Sequence, residues 1–127
     1  MNFMTLNFIR AIYISVLICV MSLLSFAYAQ NVTFFSVLPD VPVIAGMNEA
    51  KDLAVIFDKP QGRFVEVLMA GDVQDTAVRV YYADVLPQMG WNQASTGEYY
   101  TRAGERLDIH FDKNTSQTLV HITISPQ

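Results

Sequence analysis

The sequence predicts an α+β fold, in which one helix packs across one face of an antiparallel sheet. One stretch with helical periodicity separates two groups of strand-like segments, and most of those segments are joined by short connections. Alternating apolar and polar residues are typical of strands with one covered face, and short connections join neighbouring antiparallel strands. We therefore expect the element order β-β-α-β-β-β-β, with more strand than helix.

The helix is expected at about 73–89. Its apolar stripe recurs at i, i+3, i+4, i+7 and i+11, and consists of Val78, Tyr81, Tyr82, Val85 and Met89. Side chains that can cap the first turn are those of Asp72, Asp75 and Thr76. Pro87 disfavours helical geometry at Leu86, and Gly90 can adopt the left-handed conformation that closes helices. The helix should therefore loosen near Leu86 and end by Gly90.

Aromatic residues are concentrated around this helix. Because large side chains mostly serve burial, we expect three residues to anchor the helix on the sheet, namely Tyr81, Val85 and Trp91. Aromatic residues with polar tips are also enriched at interfaces. The candidates for a recognition surface are Tyr82, Tyr99 and Tyr100, with core packing as the alternative for each.

Two strands are expected before the helix and four after it. The first two, at 53–57 and 63–70, flank a five-residue turn and form a hairpin. The second of them is apolar on both faces, which is typical of a central strand. The four strands after the helix are expected at 91–94, 98–102, 106–112 and 120–125. Arg102 and Glu105 flank a two-residue turn and can form a cross-strand ion pair.

His110 and His121 are the two histidines of the chain, and both lie on the outward face of the last two strands. A register that pairs Phe111 with Val120 also places His110 opposite His121, with a turn at 115–116. Directly opposed residues have Cβ atoms about 4.5–5.5 Å apart, so the two imidazoles can come close together.

Three interpretations of this histidine pair remain open. The imidazoles are candidate ligands for Zn or Cu, with Asp108 or Asp112 as a third ligand. They could instead act as a proton sensor, because two imidazolium charges repel each other. The simplest interpretation is that two polar residues occupy a solvated sheet face, and no metal or cofactor is expected on that basis.

Residues 1–29 have the pattern of a signal peptide. Arg10 is followed by an uncharged run at 11–29 that ends in Ala27-Tyr28-Ala29, so cleavage is expected between Ala29 and Gln30. An uncleaved membrane anchor is the alternative, since such a run can just span a bilayer. Residues 30–50, interrupted by Pro39 and Pro42, are expected to form an extended N-terminal arm, and residues 51–127 a single α+β domain.

The composition disfavours several classes of function. Of the 127 residues, 8 are basic and 12 acidic, and removal of Arg10 with residues 1–29 leaves a net charge of −5. Scattered basic residues with an acidic balance argue against nucleic acid as a partner, and contact with a membrane is expected only through residues 1–29 if they are retained.

The single cysteine, Cys19, lies in the apolar run, so the exported chain has no thiol for disulfides or metal binding. The sequence also lacks the common nucleophile, phosphate-loop and zinc-protease motifs, so no enzyme activity is expected.

Three sequence segments resemble a family of small, uncharacterised exported bacterial proteins. They are Gly62-Arg63-Phe64-Val65-Glu66, then Tyr81-Tyr82 with Leu86-Pro87-Gln88-Met89-Gly90-Trp91, and Tyr100-Thr101-Arg102-Ala103-Gly104-Glu105-Arg106-Leu107. The resemblance covers about residues 60–110. It implies export and a small α+β domain, and it assigns no catalytic residue.

Together these patterns predict a non-catalytic exported binding or envelope-accessory module, periplasmic or secreted, whose expected partner is a protein of the cell envelope. One alternative is a membrane-anchored interaction protein that retains residues 1–29. The other is a small-ligand binder with a pocket between the helix and the sheet, for which a cavity lined by polar as well as apolar side chains would be evidence.

Overall fold

The computed structural model describes residues 2–23, 31–112 and 116–127. The chain divides into two compact units, Met1–Asn31 and Val32–Gln127. The first contains helix α1 (Phe3–Leu23). Within the described ranges, no helix has the length and apolarity needed to cross a membrane. The predicted cleavage site at Ala29 and Gln30 lies outside the described residues, so export by a signal peptide stays a prediction.

The second unit has the predicted α+β architecture, with one α-helix and a mostly β remainder. Helix α2 spans Asp75–Gln88, and a short 3₁₀ helix spans Lys51–Leu53. The described strands are β1 (Thr33–Phe34), β2 (Pro42–Val43), β3 (Met47–Glu49), β4 (Val55–Lys59), β5 (Gly62–Gly71), β6 (Asn92–Gln93), β7 (Tyr99–Arg102), β8 (Glu105–Asp112) and β9 (Thr118–Pro126).

Seven of the described strands form one antiparallel sheet in the order β3-β5-β9-β8-β7-β6, and β4 also pairs with β5 beside β3. The predicted pairings of consecutive strands, β4 with β5 and β6 through β9, are confirmed. The turn between β4 and β5 is Pro60-Gln61, shorter than the predicted five-residue loop. Strand β5 is central, as predicted, because β9 lies on its other side.

The inner face of the sheet, which carries Val67, Leu107 and Ile122, packs against α2. On α2 the fully buried residues are Val78, Tyr82 and Leu86, at i, i+4 and i+8. Tyr81 and Val85, predicted as anchors, are half-buried at the edges of this stripe, whereas Trp91 is buried in the core. The predicted stripe is therefore confirmed at Val78 and Tyr82, and its third fully buried residue is Leu86, which the predicted stripe does not contain.

The ends of α2 differ in part from the prediction. Gln74 occupies the N-cap position and makes no side-chain capping bond, so the expected caps from Asp72, Asp75 or Thr76 are not formed. The Asp75 carboxylate accepts a hydrogen bond from the adjacent Thr76 amide at 2.8 Å. The helix continues through Pro87 to Gln88, and Gly90 then adopts a left-handed conformation with φ of +86°, as predicted.

The segment expected to be an extended arm is folded into the same core. Its strands β1 and β2 pair with each other, and β3 pairs with the end of β5. Its buried side chains are Phe35, Leu38, Val41, Val43, Ile44 and Met47. The approach to β5 is so close that a Cβ added at Gly71 would collide with the Gly46 carbonyl oxygen. The compact unit therefore begins at Val32, not at 51.

An ionic cluster closes the end of the core near Trp91. The guanidinium of Arg102 lies 4.2 Å from the centre of the Trp91 ring, donates to the Met89 carbonyl at 3.1 Å and forms an ion pair with Asp40. The predicted pair between Arg102 and Glu105 is long, at 4.0 Å. Glu105 instead accepts a hydrogen bond from Arg63 at 2.6 Å, and this bond raises the pKa of Arg63.

Candidate functional site

Strand β4 forms an exposed edge of the large sheet. Among the described strands it pairs with β5 alone, and all five of its residues are exposed. Three of these are large apolar residues, Val55, Ile56 and Phe57, with 41%, 54% and 46% of their surface accessible. A sheet edge carries backbone groups that a further strand can pair with, so an apolar exposed edge is a natural association site.

The outer face of the sheet, opposite to α2, continues this apolar surface. Phe57 of β4 and Phe64 of β5 are direct partners, and their rings stack at 4.8 Å with an interplanar angle of 13°. The Lys59 ammonium lies 5.6 Å and 5.7 Å from the two ring centres. A cation at this distance is attracted by the ring faces, so Lys59 sits over the aromatic pair.

Charges of opposite sign follow one another at the end of β4. Because side chains alternate across a strand, Asp58 shares the inner side with Ile56, and Lys59 shares the outer side with Val55 and Phe57. A strand that adds to β4 therefore meets three apolar residues, then a carboxylate on one face and an ammonium on the other.

Two of the three candidate recognition residues are inaccessible. Tyr82 is fully buried and its hydroxyl donates to the Pro42 carbonyl at 2.7 Å, and Tyr100 retains 4% of its surface. The recognition hypothesis is therefore wrong for Tyr82 and Tyr100. Tyr99 is half-buried, and the Arg106 guanidinium covers its ring at 4.0 Å. Of the stacked pair on β4 and β5, Phe57 is exposed and Phe64 is half-buried.

The predicted pairing of the two histidines is confirmed. His110 on β8 lies directly opposite His121 on β9, with Phe111 opposite Val120. His110 is exposed and His121 is half-buried. The His121 Nδ1 atom lies 3.3 Å from Glu66 Oε1 on β5. The turn predicted at 115–116 lies partly outside the described residues.

Asp108 and Asp112 were candidates for a third metal ligand beside the two histidines. Both carboxylate oxygens of Asp108 accept hydrogen bonds from Arg106, at 2.7 and 2.8 Å. Across residues 2–23, 31–112 and 116–127, no group of three or more His, Cys, Asp or Glu side chains is arranged to hold a metal ion. The candidate three-ligand site is therefore wrong for the described residues.

A cleft of about 480 Å³ lies at the amino-terminal end of α2. Its walls include Asp75, Thr76, Phe111 and Asp112. The alternative hypothesis of a small-ligand binder requires a pocket between α2 and the sheet. The α2 residues that face the sheet are fully buried. The close packing of helix on sheet counts against a small-ligand pocket at that position.

No family model, curated protein or solved structure matches this chain. The resemblance to small exported bacterial proteins therefore stays a prediction.

Proposed function

We propose that this chain is an exported, non-catalytic binding module whose strand β4 takes up an extended segment of a partner protein in the cell envelope. The observation that supports it is the exposed apolar edge formed by Val55, Ile56 and Phe57. Added strands gain main-chain hydrogen bonds from such an edge and specificity from alternating side chains.

Charge complementarity favours a different protein over a second copy of this chain. In a two-fold antiparallel pair, residues of one sheet face oppose residues of the same face. Asp58 would then oppose Ile56 or Asp58 of β4 in the second copy, and Lys59 would oppose Val55, Phe57 or Lys59. Neither charge meets an opposite charge within β4, and charged residues on an edge strand discourage self-pairing.

The same geometry defines the chemistry of the preferred segment. Since all strand pairs of the described sheet are antiparallel, we take the added strand to run antiparallel to β4. Read from its amino terminus, it carries an acidic residue opposite Lys59, a basic residue opposite Asp58, and three apolar residues opposite Phe57, Ile56 and Val55. β-branched residues suit the last three positions.

The test uses a synthetic peptide with this acidic–basic–apolar pattern and a matched peptide in which the two charged residues are exchanged. Binding is followed by amide chemical shifts and amide exchange of the protein. The first peptide should shift and protect the amides of β4. The exchanged peptide should bind about tenfold more weakly, because two favourable pairs become two like-charge pairs.

Two protein variants locate the binding surface. Ile56→Lys should abolish peptide binding, whereas Val80→Lys on the exposed side of α2, where Val80 is 71% accessible, should leave it unchanged. Equal binding of the two peptides, or wild-type binding by Ile56→Lys, would overturn the proposal. Concentration-dependent protection of β4 without peptide would instead identify a second copy as the occupant.

The alternative of a membrane-anchored interaction protein has the same exposed edge at β4, and differs in that residues 1–29 are retained. A mature chain that starts at Gln30 supports the exported module, and one that retains residues 1–29 supports a membrane-anchored interaction protein.

A further inference from the structure

The two histidines lie in the middle of the outer face of the sheet, which α2 does not cover. Across this face one row of directly paired residues runs Leu68, His121, His110, from β5 through β9 to β8. The next row contains Glu66, Thr123 and Asp108. The two imidazoles thus arise from neighbouring strands at a fixed register, with Cβ atoms about 4.5–5.5 Å apart by sheet geometry. The sheet holds them in place without any flexible loop.

Glu66 orients one of these imidazoles. Its Oε1 atom lies 3.3 Å from Nδ1 of His121, so the carboxylate can accept the Nδ1–H proton. A histidine that donates from Nδ1 keeps a lone pair on Nε2, and a carboxylate in this position is the usual partner of a metal-binding histidine. When Nδ1–H of His121 donates to Glu66, Nε2 is the ring nitrogen that can bind a metal ion.

The charges around the pair favour a cation. On the outer face near the histidines, the described acidic residues are Glu66, Asp108 and Asp112, and the described basic residue of β8 is Arg106. Arg106 is engaged by Asp108. The balance is negative, which lowers the energy of a divalent cation at the surface.

We infer that His110 and His121 form a two-histidine site for Cu²⁺, with Glu66 as a positioning residue. Imidazole nitrogen suits Cu²⁺ and Zn²⁺, and among divalent first-row metals Cu²⁺ binds such sites most tightly. The tetragonal preference of Cu²⁺ accommodates two adjacent nitrogen ligands. The remaining positions stay open to water or to a ligand from another molecule. This inference is independent of the proposed binding edge at β4.

The site is tested on the purified protein by titration with Cu²⁺ in a non-coordinating buffer at neutral pH. Calorimetry should show one more Cu²⁺ per chain for the wild type than for the variant that lacks both histidines, and electron paramagnetic resonance should show nitrogen couplings from two imidazoles. His110→Ala and His121→Ala should each remove one of the two nitrogens and weaken binding. The double variant is the background control, because a free amino terminus also coordinates Cu²⁺.

Glu66→Gln tests the positioning role. Loss of a carboxylate behind a ligating histidine lowers metal affinity about 10–100-fold, and the number of coupled nitrogens should stay at two. The matched control is Asp52→Asn, at an exposed carboxylate of the 3₁₀ helix, which should leave affinity unchanged. Thermal midpoints of all variants verify that they fold.

The inference is overturned if the wild type and the double variant give the same affinity and the same spectrum. A wild-type spectrum with a single coupled imidazole nitrogen would also overturn it, and this measurement needs no variant. Tighter binding of Zn²⁺ than of Cu²⁺ in the same titration would refute the choice of metal.

Discussion

Trp91 shows at the scale of one residue how packing outweighs a polar defect. It is 1% exposed, and its indole Nε1 has no hydrogen-bond partner among the described residues. An unsatisfied buried donor costs about 1–3 kcal/mol. Truncating a buried aromatic to alanine costs about 3–5 kcal/mol, and a cation over the ring adds about 0.5–2 kcal/mol of attraction. Packing is the larger contribution, so Trp91 stabilises the core together with Arg102, which covers its ring.

Tyr82 shows why an aromatic residue of the helix was misassigned to recognition. Periodicity places Tyr81 and Tyr82 on the same stripe, and the sequence does not decide which of them points at the sheet. In the structure Tyr82 is central, and its ring meets that of Tyr81 edge to face at 5.1 Å. Its hydroxyl is satisfied by the Pro42 carbonyl, in a segment that was expected to be an arm. Burial, reinforced by the neighbouring Tyr81, raises the pKa of Tyr82 far above its ordinary value.

This raised pKa predicts a loss of stability at alkaline pH. Above about pH 10 a tyrosine of the unfolded chain releases its proton, whereas Tyr82 in the folded chain keeps it. The folded state then binds more protons, so the free energy of unfolding falls by about 1.4 kcal/mol per pH unit for this group. The stabilisation is fully present below about pH 10 and is lost as the pH rises.

Tyr82→Phe should reduce this alkaline slope. Urea unfolding of the wild type and the variant is compared from about pH 9 to about pH 12. Above about pH 10 the free energy of unfolding of the variant should fall less steeply, by about 1.4 kcal/mol per pH unit, because its unfolding releases one proton fewer. At neutral pH the variant should be less stable by about 0.5–1.5 kcal/mol, because its hydrogen bond to Pro42 is lost. Identical slopes above pH 10 would show that the Tyr82 hydroxyl is accessible to water in the folded state.

At the scale of elements, the N-terminal segment of residues 31–50 carries a large part of the core. The segment is held by side chains as well as by β1, β2 and β3. The Glu49 carboxylate accepts hydrogen bonds from the Ser36 amide at 2.9 and 3.1 Å and from the Ser36 hydroxyl at 2.6 Å. The Asp40 carboxylate pairs with Arg102 across the core. These contacts close the turns of the segment and fasten it to the sheet.

The sequence predicts well those features that depend on residues close together in the chain. The hairpins follow from turn residues and alternation, and the pairing of His110 with His121 follows from matching inward with inward residues. The fold of residues 31–50 does not follow, since its strands have two or three residues and are interrupted by prolines, too short for any periodicity. The exposed edge at β4 was missed for a related reason. The apolar run at 53–57 has the pattern of a buried strand, and only the pairing of β5 with β9 leaves β4 on the outside.

Adjacent phenylalanines at the start of this segment provide a matched test of its role. Phe35 is 1% exposed and lies in the core, whereas Phe34 is 39% exposed. Phe35→Ala should lower the free energy of unfolding by about 3–5 kcal/mol, the usual cost of truncating a buried phenylalanine. Phe34→Ala should cost much less. Denaturant unfolding measures both, and equal, small effects would show that the segment is a dispensable arm.

At the scale of the whole molecule, the strand order makes the sheet depend on β9. Strand β9 follows the other described strands in the sequence but lies between β5 and β8, in the middle of the sheet. Its residues Val120, Ile122 and Ile124 are fully buried. The inner face of β5 and that of β8 can share one core only when β9 has joined them. The sheet can therefore be completed only after β9 has been synthesised.

The second compact unit should therefore fold without residues 1–29 and fail to fold without β9. Among the residues whose burial the structure describes, those of the core all lie between Phe35 and Ile124, so a chain that starts at Gln30 should keep the thermal midpoint of the full chain. Truncation after Asp112 removes the central strand and should give an unfolded chain by circular dichroism. Amino-terminal sequencing of the exported protein completes the test, since cleavage predicts Gln30 as the first residue. A lower midpoint for the shortened chain would show that residues 1–29 contribute to the fold and contradict their role as a removable signal.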